Sequence, residues 1–330
     1  MVSRVRGRAG KVVAVALLVP LVAAAAWDAR RTGTLSGART GLTIIAPASP
    51  GGGWDTNARQ LQAAMREAGV VTNPQVVNVP GAAGTIALSQ LAEMESQGDV
   101  LMVTGTVMVG GVEINDSENG FEDVTPIART TDDYEVIVVP ADSPLESVDD
   151  LVAAWQSDPR GVAVGGGSLG GTDQLLAIQL ALAVGVEATD VNYIAYSGGG
   201  EAVQALLSGA SDIGISGYNE FADQIEAGTM RALAVSAPEP QPEIGIPTLY
   251  ELGYDVHQPN WRGLLAPPGL SEEQVAELDA IVAETLATPE WQATLERNRW
   301  IDAELFDAEF AAFVDEEVAR VRQIFDEAGL

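Results

Sequence analysis

Glycine gathers with small polar residues at four places in this chain, each where an apolar run gives way to an amphipathic one. They are Pro50-Gly51-Gly52-Gly53-Trp54-Asp55-Thr56, Pro80-Gly81-Ala82-Ala83-Gly84-Thr85, Gly165-Gly166-Gly167-Ser168-Leu169-Gly170-Gly171-Thr172 and Tyr196-Ser197-Gly198-Gly199-Gly200. Glycine lets backbone N–H groups come close to a ligand. The first N–H groups of a helix have no intrahelical partner and carry partial positive charge. A strand that runs through such a loop into a helix therefore makes an anion site without a cationic side chain. Each helix end contributes roughly 0.3–1 kcal/mol toward a negative group, and more when partly buried.

Two other chemistries fit the third loop. Gly165 to Gly170 matches G-x-G-x-x-G, but a dinucleotide fold wants an acid about 20 residues on, at the end of the second strand. That strand runs into Tyr196-Ser197 instead. Gly166 to Gly170 also matches G-x-S-x-G, with Ser168 as nucleophile. A triad would then need His257, the single histidine, with Asp212 or Asp255. A glycine-rich turn with a hydrogen-bonding serine explains the same residues more simply. With one histidine and no cysteine there is no metal-ligand cluster, no disulfide and no lipid-anchor cysteine.

The elements around these loops alternate. Short apolar strands are predicted at 42–47, 75–79, 100–104, 135–139, 162–164, 191–195, 213–216, 231–236 and 263–266. Helices are predicted at 55–68, 85–95, 147–156, 172–184 and 201–208, and two polar amphipathic helices, 272–287 and 308–328, close the chain. Residues 237–247 form a proline-rich link. Such alternation argues for an α/β fold of mostly parallel sheets with helices on both faces. In open sheets of this kind the loops share a crevice at the carboxyl ends of the strands.

The N-terminus carries Arg4, Arg6, Arg8 and Lys11, then the apolar run Val12–Ala26 ending in three alanines. That is the pattern of a signal peptide, and the run is shorter than the roughly 20 residues a spanning helix needs. Residues 1–33 are therefore expected to be a signal peptide or an N-terminal membrane anchor. From Thr34 onward, 11 arginines and no lysine face 46 Asp plus Glu. That balance excludes nucleic acid as a partner, since phosphates need a basic face. The acidic runs Glu272-Glu273 and Asp315-Glu316-Glu317 fall on polar helix faces.

At the loops the chain resembles the receptors of tripartite tricarboxylate transporters, the Bug family. Pro50–Arg59 resembles the family's first-loop motif and Val79–Gly84 its second glycine turn. Ser147–Leu151 resembles its helix start after the crossover. Gly198–Ala202 leading to Asp212-Ile213, and Gly263–Gly269 (GLLAPPG), resemble two further segments. The likeness runs from about Leu42 to the C-terminus. It implies a two-lobed, type 2-like periplasmic-binding-protein fold, each lobe a mostly parallel sheet flanked by helices, with the ligand cleft between lobes. The lobes are expected at 34–135 plus 258–330 and at 136–257.

The resemblance further implies an extracytoplasmic receptor, not an enzyme and without a cofactor, that binds a small carboxylate as a monomer and delivers it to membrane permease subunits. Gly52, Gly53, Trp54, Asp55 and Thr56 would face Gly167, Ser168, Leu169, Gly171 and Thr172 across the ligand. Asp55 would cap its own helix and orient a bridging water. Thr104, Thr106, Tyr196, Tyr218 and Asn219 are candidates for the distal part of the ligand, and Arg129 and Arg262 for a counter-charge. Val107–Phe121 departs from the family pattern and is expected at the far end of the cleft, so substrate identity does not carry over. An exported serine hydrolase using Ser168 and His257, or a ligand-sensing partner of a membrane kinase, are the alternatives.

Overall fold

A computed structural model describes residues 37–330, and the expected targeting segment lies outside the described residues. The first apolar run becomes β1 (Gly41–Ala46), with Leu42, Ile44, Ile45 and Ala46 buried. It pairs in parallel with β2 (Asn73–Asn78) and β3 (Val100–Gly105). Parallel neighbours require crossovers. Helix α1 (Gly53–Glu67) supplies one, burying Ala58, Leu61, Ala64 and Met65 on its inner face. Helix α2 (Thr85–Ala92) supplies the next. After β3 the chain turns into α3 (Thr106–Ile114) and then β4 (Thr125–Asp132).

At Asp133 and Tyr134 the chain leaves this sheet. β5 (Glu135–Pro140), β6 (Ala163–Gly166), β7 (Asn192–Ala195), β8 (Ile213–Gly217) and β9 (Met230–Val235) form a second sheet in the order β7-β6-β8-β5-β9. Its helices are α4 (Val148–Ser157), α5 (Thr172–Ala183), α6 (Gly199–Ser208) and α7 (Tyr218–Glu226). Ser147 caps α4, its hydroxyl accepting from Asp150 N–H.

The chain then returns. β10 (Arg262–Ala266) inserts between β3 and β4, giving the first sheet the order β11-β4-β10-β3-β1-β2 with β11 (Ile301–Phe306) at its edge. Helices α8 (Glu272–Leu286), α9 (Pro289–Asn298) and α10 (Asp307–Ala328) complete it. Ser271 and Gln274 make a capping box at α8, and Thr288 with Pro289 opens α9. The outgoing and returning strands are tied together. Asp133 N–H donates to Asn260 O at 3.2 Å and Asn260 N–H to Asp133 O at 2.9 Å.

Most strands in each sheet run the same way, as expected, β1 to β4 in the first and β6 to β9 in the second, and each sheet also takes in opposed strands that make it mixed. β10 is antiparallel to β3 and β4, β11 to β4, and β5 to β8 and β9. A strand that crosses from the other lobe arrives without a crossover helix of its own and enters in the opposite sense. The second lobe has two buried cores of its own, while the first lobe's core runs on into Leu175 and Ile178 of α5. Among the described residues no helix is long and apolar enough to cross a membrane.

Candidate functional site

A cavity of about 500 Å³ lies where the loops of the two lobes face one another, and all four glycine-rich loops meet on it. The first contributes Gly52, Gly53 and Trp54, and the second Pro80 to Gly84. The third contributes Gly167, Ser168, Gly171 and Thr172, and the fourth Ser197, Gly198 and Gly199. Val107, the second residue of α3, closes one side.

Close backbone approach explains two of the glycines. At Gly84, where φ is +94°, a Cβ would lie 2.8 Å from the Trp54 ring. Trp54 packs on its own lobe there, 8% exposed, while still lining the cavity. At Gly110 of α3 a Cβ would lie 1.8 Å from the carbonyl oxygen of Gly170 in the third loop. The two lobes thus touch backbone to backbone beside the cavity.

Each of three loops is held by an acid from the first turn of the helix it opens. Asp55 Oδ2 accepts from Gly51 N–H at 2.8 Å and from Arg59 Nε at 2.9 Å, and its Oδ1 accepts from Asn78 at 2.8 Å. Burial pushes the Asp55 carboxyl up, but Arg59, Gly51 and Asn78 outweigh that and hold it below the usual range. Asp55 therefore braces the loop from behind, and its cap contact is to Gly51 rather than to its own helix start. Asp173 Oδ2 accepts from Gly167 N–H at 2.6 Å, and Glu201 Oε2 from Ser197 N–H at 3.0 Å. Gln174 Oε1 accepts from Gly170 N–H at 2.7 Å.

Several expected residues stand off the cavity wall. The Thr104 hydroxyl is buried against Met108 Sδ, and that of Thr106 donates to Pro259 O. Thr56 N–H is spent on Gly52 O. Leu169 points outward, 52% exposed. Tyr196 pairs with Ser211 behind the loop, and Tyr218 is buried under the Arg299 guanidinium. Asn219 Oδ1 is buried beside Gly217 with no partner. Arg129 is committed to Asp132 and to the Phe313 ring. The geometry for these residues is that of packing and bracing. Ser168 and His257 are not brought together, since His257 is stacked on Tyr250 and bonded to its hydroxyl, away from the cavity that Ser168 lines.

The cavity's charges were less legible. Arg262, on the cavity wall, is 5% exposed, and its Nη2 is 3.4 Å from where a Gly53 Cβ would stand. Its guanidinium lies over the Trp300 ring, and Asp133 Oδ2 is 3.8 Å from Nη2. Around it stand four acids from the second lobe and the crossover: Asp133, Glu135, Asp173 and Glu220. Burial pushes Asp133 up to about 6 against the opposing pull of Arg262. Burial likewise raises Asp173 to about 6 and Glu135 well above the carboxylate range. Beside burial, the neighbouring Asp173 carboxylate raises Glu135 further, and neither Glu135 oxygen has a hydrogen-bond partner. Glu220 is raised by burial too, with Arg262 opposing. Of these, Asp173 and Glu220 line the cavity, with Ser216, Gly217 and Asn260. The signal missed was the helix start after Gly217: a glycine followed by a first-turn acid, as at the first, third and fourth loops.

Two helix-flanked sheets, joined by a pair of crossover strands and facing one another across a glycine-lined cavity, define a two-lobed solute-binding protein. Residues 57–330 match the model of the tripartite tricarboxylate transporter family receptor, and the chain belongs to that family. It is 29% identical to BugT of Bordetella pertussis over 253 residues, 74% of this chain and 76% of that protein. It resembles the structure of MatC from Rhodopseudomonas palustris with bound malate at 25% identity and a TM-score of 0.76, covering 87% of this chain and 99% of that one. A TctC solute-binding protein from Polaromonas is similar at 26% identity and a TM-score of 0.67, covering 88% and 100%.

Proposed function

We propose that this protein is an extracytoplasmic receptor for a small carboxylate, held between the first and third loops and passed to a membrane permease. The observation that carries this reading is the pairing of the α1 N-terminus with the Arg262 guanidinium on one wall of the cavity. An anion there meets unpartnered helix N–H groups and a buried cation together. Thr172 supports it. Its hydroxyl is wholly buried, lacks a partner and belongs to the facing wall. Ser168 lies beside it. The similar MatC structure holds malate, a small carboxylate.

Lobe closure around the ligand would present one surface to the permease. The high negative charge of the chain repels anions at long range, so capture relies on these local donors and is helped by salt screening. Calorimetry against mono-, di- and tricarboxylates tests the reading: one or more should bind with micromolar or tighter affinity. A flat response from clean protein across the panel refutes it.

A further inference from the structure

The two walls of the cavity carry opposite charge. On the first-lobe side stand the α1 N-terminus at Gly53 and Trp54 and the buried Arg262, whose Nη1 has no partner. Among the described residues that line the second-lobe side there is no cationic side chain. There Glu220 and Asp173 reach the wall, with Glu135 behind Asp173. Glu220 forms no hydrogen bond or ion pair among the described residues. Gly199 is what brings it in, since a Cβ there would lie 2.7 Å from Glu220 Cγ and 2.8 Å from Ser216 Oγ. Asp173 also accepts from Gly167 N–H and Glu201 from Ser197 N–H, in the loops ahead of α5 and α6. In the first loop the corresponding acid, Asp55, is off the cavity wall and neutralised by Arg59, so that helix end stays positive toward the ligand.

We propose that the cavity is bipolar and selects an amino acid in the broad sense, a carboxylate with an ammonium group. The carboxylate lies on the α1 N-terminus and Arg262, and the ammonium donates to Glu220, Asp173 and Ser216. This rests on the carboxylate reading above and narrows it. An ammonium supplies three donors and one positive charge. It meets two carboxylates that have no cation of their own on that wall. A second carboxylate in the same place meets like charge in a low-dielectric site. Thr172 Oγ1, buried and unpartnered between the two poles, serves as an additional donor to the carboxylate.

The test uses the full chain, calorimetry at pH 7.5 and pairs that differ only in the nitrogen: succinate with 4-aminobutyrate, L-malate with L-aspartate, and L-lactate with L-alanine. In at least one pair the amino compound is expected to bind at least 10-fold tighter than its partner. Glu220→Gln is expected to lower that affinity by 10- to 100-fold, the loss of one charged hydrogen bond, and to leave the nitrogen-free partner unchanged or improved. Ser216→Ala provides the same readout at smaller size should the Glu220 variant not fold. Equal or tighter binding of every nitrogen-free acid, or binding of dicarboxylates only below pH 6 with a proton in place of the ammonium, overturns the proposal and leaves the carboxylate reading standing. Binding of butylamine with no response to any acid of the panel overturns both.

Discussion

Replacing Thr172 by valine should make the protein more stable and a poorer receptor at once. The Thr172 hydroxyl is wholly buried and finds no hydrogen-bond partner. A buried hydroxyl left unpaired costs about 1–3 kcal/mol. Valine keeps the shape and the β-branch at the first turn of α5, where Gly171 rather than Thr172 is the N-cap. Removing the hydroxyl is therefore expected to raise the melting temperature of the ligand-free protein by a few degrees, at roughly 2–4 °C per kcal/mol for a chain of this size class. The same change removes a donor to a bound carboxylate, worth roughly 1.5–3 kcal/mol, or about 10- to 100-fold in affinity. Thermal melts without ligand and calorimetry with the tightest-binding acid of the panel measure the two effects. Ser168→Ala is the control, because Ser168 is only half-buried and should cost affinity with no gain in melting temperature. A lower melting temperature with unchanged affinity would refute the assignment of Thr172 to the ligand.

Other expectations follow from the same geometry. Gly110→Ala places a methyl group 1.8 Å from Gly170 O and should hold the lobes apart, lowering affinity at least 10-fold and widening the particle in small-angle scattering. Asp133 and Asp173 bind a proton more tightly folded than unfolded. Their contribution is therefore complete below about pH 4 and lost as pH rises through about 6. Asp133→Asn should flatten the decline in melting temperature over pH 4.5–7, removing a penalty of up to roughly 3 kcal/mol at 1.36 kcal/mol per unit. Asp55 has the opposite sign, its depressed carboxyl favouring the fold above pH 4 and losing that contribution in acid. Asp55→Ala should loosen the first loop and lower both melting temperature and affinity, seen together in the same two assays.

The loops were legible because their signals are local. A glycine run after an apolar strand marks a strand-to-helix switch whatever else the chain does, and all four such loops lie on one cavity, three of them with a first-turn acid. What escaped notice depended on distant partners. β4, with Pro126, Arg129 and three threonines, does not read as a sheet-interior strand, yet β10 and β11 both pair with it. β11 alternates apolar and acidic residues as an edge strand does, but is short and charged. α3 contains Gly110-Gly111, which weakens helix propensity and instead admits the third loop. α7 and α9 are not among the predicted helices, because polar residues dominate their sequences. The acid cluster around Arg262 was invisible for the same reason: Asp133, Glu135, Asp173 and Glu220 are far apart in sequence and meet only when the second sheet forms.

The order in which strands enter the two sheets also sets an order of events in folding. The five-stranded sheet uses one continuous stretch, from β5 to β9, and its two ends are bridged at Tyr134 and Pro259. It can close as soon as that stretch is available. The six-stranded sheet cannot, because both neighbours of β4 come from the final third of the chain, after Arg262. Until β10 threads between β3 and β4, both keep open edges of the kind that recruit other chains. Long-range closure of this sort is also slow. A chain cut short before Arg262 would retain every glycine loop and lose the strand that joins β3 to β4, so its failure would appear as aggregation long before it appeared as weak binding.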